Sequence, residues 1–128
     1  MSLRWLLATN ALVGGAAGVI LIVAPMFMAS IVGLALDDVG AMWARLYGAE
    51  LAGFNVATWL AQDRGPDARR IVVLGHAVNE SLTFGVLAIS IGGLGANAFG
   101  WAFAAVALAF AVAFILAATG MAFRDSDK

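Results

Sequence analysis

A run of apolar residues from Ile71 to Ile91 carries a histidine, an amide and a carboxylic acid near its centre, in the stretch His76-Ala-Val-Asn79-Glu80. About 20 apolar residues at 1.5 Å rise cross the hydrocarbon layer of a bilayer, so the run predicts a membrane-spanning helix. An ionisable side chain near the bilayer centre costs about 2.5–3.5 kcal/mol on insertion scales and normally faces a partner or a water-filled cavity. The rest of the chain therefore has to supply a polar interior for these three residues.

Three more apolar segments do so. Arg4 precedes an uncharged stretch from Trp5 to Pro25, interrupted only by Thr9 and Asn10, and the spacing predicts a first span over 5–24. A cleaved secretory signal is the rival reading, but the apolar part exceeds the usual 7–15 residues and the region around Ser30 is a poor cleavage site. Pro25 stops that helix, and the apolar segment 26–36 is too short to cross, which suits a position along the interface. Asp37-Asp38 offer a helix start, and a second span is expected over 41–62, carrying Arg45, Glu50 and Asn55. The turn Asp63-Arg64-Gly65-Pro66-Asp67 leads to a third span over 70–91. Gly92-Gly93-Leu94-Gly95-Ala96-Asn97 leads to a fourth over 99–123. A composition of 63% hydrophobic and 12% charged residues, against about 45–50% and 25% in globular chains, fits no soluble class. The 128 residues then form one all-α transmembrane domain, an antiparallel four-helix bundle.

Orientation follows from the basic residues. Arg4, Arg64, Arg69, Arg70, Arg124 and Lys128 fall on one side of such a chain and Asp37 and Asp38 on the other, so both termini are expected in the cytoplasm of a bacterial-type inner membrane. Trp5 and Trp59 fall at the inner ends of their spans, and Trp43 and Trp101 at the outer ends, where indole rings favour the headgroup level. Gly14 and Gly18 form a G-x-x-x-G pair, and Ala105, Ala109, Ala113 and Ala117 recur every fourth position on the last span, two stripes suited to close helix approach.

At 100° per residue, Arg69, His76, Asn79, Glu80, Thr83 and Ser90 share a sector of about 100° on the third span. Counted from the outer ends, Glu50 and Glu80 lie at similar depth, roughly 13 and 16 Å in, so two carboxylic acids that meet there would share a proton. Asn10, Asn55 and His76 form a second polar layer roughly 10 Å from the cytoplasmic ends. Arg45 sits about one turn below the outer surface, where it can snorkel or reach toward Glu80. Glu50, His76, Asn79, Glu80, Arg45, Asn55 and Asn10 are thus the candidate residues for binding a small or protonatable ligand, in transport, proton relay or a quinone-linked role. The plainer reading makes the asparagines and His76 interhelical hydrogen-bonding glue, in a structural or accessory subunit that docks on another membrane protein.

Other chemistries fit less well. His76, Glu80 and Glu50 offer one nitrogen and two oxygens to a metal, but the paired Glu-x-x-His pattern of carboxylate-bridged bundle sites is absent. A single histidine leaves haem at most one histidine ligand, and neither Ser81 nor Ser90 lies in a nucleophile elbow. Zero cysteines exclude disulfides and thiolate sites, and a formal net charge of −1 argues against nucleic acid as a partner. No catalytic residue, metal or cofactor is expected, although a quinone or lipid suits the polar site. The expected partners are the bilayer, a second copy of the chain or another membrane protein.

Pro25, the short segment containing Gly33, the sequence Arg45-Leu-Tyr-Gly48-Ala-Glu50 and the basic turn before the third span together resemble the small four-helix bacterial DoxX-like and DUF4345-type membrane proteins. The resemblance covers most of the chain and implies the four-span layout. It also implies an association with redox or quinone-linked complexes, as for some members of those families. The His76 to Glu80 cluster matches no motif of theirs.

Overall fold

The computed structural model describes residues 2–120, so Arg124 and Lys128 lie outside the described residues. Within them the chain is helical, without strands: α1 (Leu3–Val23), α2 (Pro25–Ile31), α3 (Asp38–Ala61), α4 (Pro66–Leu94) and α5 (Ala98–Ala118). Three of these, α1, α4 and α5, are long and apolar enough to cross a membrane. The sequence reading expected a fourth in α3. That helix has the length, but Arg45 and Glu50 in its middle dilute its apolar character.

The helix boundaries follow from capping chemistry. Ser2 accepts from Trp5 N to open α1, and Asp37 accepts from Gly40 N at 2.7 Å to open α3, three residues before the expected start. Pro25 does more than stop α1, because its locked φ and missing N–H suit the first turn of a helix, and it begins α2 there. Pro66 does the same for α4, bringing its start forward into the expected turn. At the far end, α4 continues through Gly92 and Gly93 and stops only where Gly95 takes φ +69°. The expected glycine-rich turn is thereby cut to three residues. Gly120, at φ +72°, follows the end of α5, well short of the expected residue 123.

Contacts between named residues set the packing. Arg4 pairs with Asp63, Asn10 meets Asn55 and Arg45 reaches Ile22, so α1 and α3 run antiparallel. Tyr47 opposite Thr83 and Thr58 opposite His76 give the same sense for α3 and α4. The α1–α3 seam is built on glycine. A Cβ on Gly18 would lie 2.7 Å from Ala52 N and 2.8 Å from Gly48 O, and one on Gly48 would lie 2.7 Å from Gly18 O. Gly18 of the G-x-x-x-G pair therefore marks a true backbone-to-backbone approach, while Gly14 makes room for the Asn55 side chain. The alanine stripe read on the last span packs over half its length: Ala113 and Ala117 lie against the apolar core, whereas Ala105 and Ala109 are exposed and Ala104, Ala107 and Ala111 are the buried alanines there.

From one end to the other the interior has three layers. At the end marked by Arg4 and Asp63, Leu6, Leu7, Ala61, Val72, Val73 and Phe114 form the apolar core. Buried polar side chains come next. Beyond them, toward Asp37, the helices part around a cavity. All four tryptophans are exposed, as rings at headgroup level would be.

A polar knot beneath an apolar cavity

His76 is fully buried and stacked between two phenylalanines, with ring centroids 4.4 Å from Phe54 and 4.7 Å from Phe114. Its hydrogen bonds run to α3 and α1. Thr58 Oγ1 donates to Phe54 O at 2.9 Å, a local bond to the preceding helical turn, and lies 2.7 Å from His76 Nε2. Asn10 Nδ2 lies 3.1 Å from His76 Nδ1. The same amide nitrogen lies 3.2 Å from Nε2 and donates to Asn55 Oδ1 at 3.3 Å, while Asn55 Nδ2 bonds Leu51 O at 2.8 Å. One imidazole thus ties α1, α3 and α4 by hydrogen bonds and α5 by stacking. All four polar side chains of this knot, Asn10, Asn55, Thr58 and His76, are buried and partnered, as polar groups deep in an apolar interior must be.

Sequence reading placed Asn10, Asn55 and His76 in one layer, and the structure brings them together. It missed Thr58, Phe54 and Phe114. Thr58 had a signal, lying three residues after Asn55 and so on a neighbouring face one turn along. The phenylalanines had none, because a stacking ring and a lipid-facing ring look alike in an apolar run.

Glu80 stands apart from the knot. Its Oε1 is 3.8 Å from His76 Nδ1, beyond hydrogen-bond range, and its side chain is 12% exposed toward a cavity of about 430 Å³. Asn10, Asn79 and Thr83 line the same end, where Tyr47 Oη and Thr83 Oγ1 are 3.5 Å apart. The lining along α4 continues to Ile91, twelve residues beyond Asn79, so the cavity is about 18 Å long. Its remaining wall is almost wholly apolar, apart from Ser90.

Two expected members of the site lie elsewhere. Glu50 is at the level of Glu80, since Tyr47 faces Thr83 and Phe54 faces Gly75, but its side chain is exposed and does not line the cavity. Three residues after Tyr47 the helix has turned through 300°, which swings Glu50 roughly 60° off the face toward α4. Depth was read correctly and direction was not, so the proposed proton-sharing carboxyl pair is not assembled. Arg45 is likewise exposed and donates from Nε to Ile22 O at 3.3 Å, in the last turn of α1, where carbonyls lack helical partners. It therefore serves the end of α1 instead of reaching Glu80.

Near the far end of the cavity an unexpected residue joins two elements. Asn97 accepts from Phe99 N and Gly100 N as the N-cap of α5, and donates from Nδ2 to Ile31 O at 2.9 Å. Its own N–H bonds Val32 O at 3.1 Å. Asn97 thus joins the α4–α5 turn to the end of α2. Sequence reading had placed it in an uncharged turn.

Among the described residues no group of three His, Asp or Glu side chains is placed to hold a metal. The site and fold define a helical protein with three apolar helices able to cross a membrane and a polar-ended cavity between them. No protein-family model, curated protein or solved structure matches the chain.

Proposed function

We propose that this chain is a four-span inner-membrane protein, with α3 as the fourth span and both termini in the cytoplasm, whose cavity holds a small ligand. The observation that carries the reading is the cavity, whose volume of about 430 Å³ falls in the range of small-molecule sites. Its polar groups converge at one end, which gives a ligand's head group a defined place. At the opposite side of the knot the same helices pack around the apolar core of Leu6, Leu7, Val72, Val73 and Phe114. Glu80, Asn79, Asn10 and Thr83 are the ligand-facing groups. His76 holds them in register, and its nearness to Glu80 leaves a proton-relay role open to it. Transport, capture or quinone-linked carriage are the activities that such a site serves. The DoxX-like resemblance of the Arg45 to Glu50 segment makes a quinone or lipid one candidate occupant. Arg4 and Arg64 lie at one end with Asp63, which supports the cytoplasmic assignment of that end.

Native mass spectrometry in a mild detergent tests the ligand reading. A bound small molecule is expected on the wild type and is expected to be lost from Ala44→Phe, which fills the cavity from α3. Retention of the same molecule by that variant, or wild-type protein that is empty under conditions sparing bound lipid, overturns it. For topology, the cysteine-free background allows Gly65→Cys and Leu94→Cys to be compared. Labelling from outside the cell is expected only at 94.

A second reading, an accessory subunit without its own ligand, is favoured by Glu50. An exposed carboxylic acid midway along α3, between exposed Leu46 and Gly53, suits a partner protein better than lipid. A stoichiometric partner that is lost with Glu50→Leu, with no change in Ala44→Phe, would favour it.

A further inference from the structure

The cavity's charge balance narrows what it can hold. Among the described residues lining it, the ionisable side chains are Glu80 and the phenol of Tyr47, with no lysine, arginine or histidine among them. His76, the nearest basic group, does not line the cavity: Thr58 and Asn10 hold it in the knot behind Glu80, with its Nδ1 3.8 Å from the Glu80 carboxyl. Arg45 is committed to Ile22 O. Among the described residues, then, no basic side chain lines the cavity beside Glu80.

Resting on the ligand-binding reading above, we infer that the cavity takes an amphipathic monocation, its amine or ammonium head against Glu80 and its apolar part along the slot toward Ile91. An anionic head, such as a fatty-acid carboxylate or a lipid phosphate, would face a carboxyl with no basic group to offset it. A zwitterion would leave its anionic half equally unpartnered. A cation gains a charge-assisted contact in a low-dielectric wall, where such contacts are strong. Tyr47 and Phe110 add aromatic rings to the same lining near Glu80, and ring faces attract a cation further. A slot about 18 Å long from the head-group end to Ile91 accommodates the head and an alkyl or aryl tail of moderate length.

A matched series of probes separates charge from shape: octyltrimethylammonium, octanol and octanoate, with decylubiquinone as a neutral quinone. Binding is measured by calorimetry on the full chain in nanodiscs, with empty nanodiscs subtracted. Octyltrimethylammonium is expected to bind about tenfold or more tightly than octanol, and octanoate more weakly still, as charge-assisted contacts outweigh neutral ones. Glu80→Gln is expected to erase the preference while octanol binding persists. Glu80→Asp, which keeps the charge, should retain it, and it serves if the glutamine variant does not fold. Equal binding of cation and alcohol, a preference for octanoate or decylubiquinone, or a cation preference that survives Glu80→Gln overturns the inference. So does failure of all four probes to bind. The native mass spectrum separates this from failure of the ligand reading, because a neutral or anionic molecule found in the wild type and displaced by Ala44→Phe sinks the cation alone.

Discussion

The two sides of α3 are built in opposite ways. Toward α1 it presents Gly48 and Ala52 to Gly18, and the backbones approach so closely that no Cβ fits between. Toward α4 it presents Tyr47, Leu51 and Phe54, long side chains that leave the slot open and touch α4 chiefly at the knot. In a membrane, where lipid is as apolar as leucine, association relies on close packing and interhelical hydrogen bonds. The first side uses close packing and the second uses hydrogen bonds. A bundle with one sealed face and one propped face can keep its shape and still hold a cavity.

The most damaging test of this contrast is Gly18→Leu. A whole side chain has to enter a seam without room for a methyl group, so α1 and α3 are expected not to dock, with loss of folded monomer on size-exclusion chromatography. Gly53→Leu, on the exposed face of the same helix with nothing within 4 Å, is the control and is expected to fold normally. If both behave alike, the seam is not the close-packed element it is taken to be.

His76→Ala attacks the propped side. It removes a ring stacked on two phenylalanines and leaves Thr58 and Asn10 without their shared partner. Emptying a fully buried aromatic site of this size costs about 2–5 kcal/mol, read as a drop in the thermal midpoint in detergent. His76→Gln, which keeps some hydrogen-bonding capacity, should recover part of it. A variant as stable as wild type would mean that α4 is held elsewhere.

Next in size is Asn97→Ala, which removes a helix cap and a side-chain bond to Ile31 O at once. Loss of the cap alone costs about 1 kcal/mol. The expected loss should be local, with faster hydrogen exchange at Val32, Gly33 and Phe99 while the knot stays protected. Uniform loss of protection would show that the two ends of the slot are one cooperative unit.

Several of these features were legible in the sequence, and the reasons are specific. The polar layer of Asn10, Asn55 and His76 could be read because polar side chains in apolar runs must find one another, and counting residues along helices gives depth. Depth also brought Glu50 level with Glu80. The rotation of each helix about its own axis is set by packing on other helices, and there the reading failed for Glu50 and for Ala105 and Ala109 of α5. Gly18 against Gly48 was half legible, since Gly14 and Gly18 announce a close approach without naming the partner. The cavity was not legible, because it is a shape left between side chains that are ordinary one by one. Asn97 was read as part of a turn, and its bonds to α2 depend on where a segment 66 residues earlier comes to rest.

The smallest expected effect is the most discriminating for the propped side. Tyr47 Oη and Thr83 Oγ1 are 3.5 Å apart, and the tyrosine is 41% exposed. A hydroxyl contact of that length is at the outer limit of hydrogen bonding, and interhelical polar contacts in membranes average about 0.6 kcal/mol. Thr83→Val keeps the shape and removes the hydroxyl, so its effect on stability should be at or below that average. If the slot is held open by the knot beneath it and by Asn97 above it, nothing else should change in the apo protein. Because Thr83 lines the polar end beside Glu80, ligand retention is expected to weaken in Thr83→Val more than stability does. The comparison needs both measurements on one preparation: thermal midpoint without ligand, and ligand retained through native mass spectrometry. A loss of several kcal/mol from this substitution would make Tyr47–Thr83 a true clasp between α3 and α4. The slot would then be sealed on both of its long sides, and the contrast between the two sides of α3 would be one of chemistry without a difference in tightness.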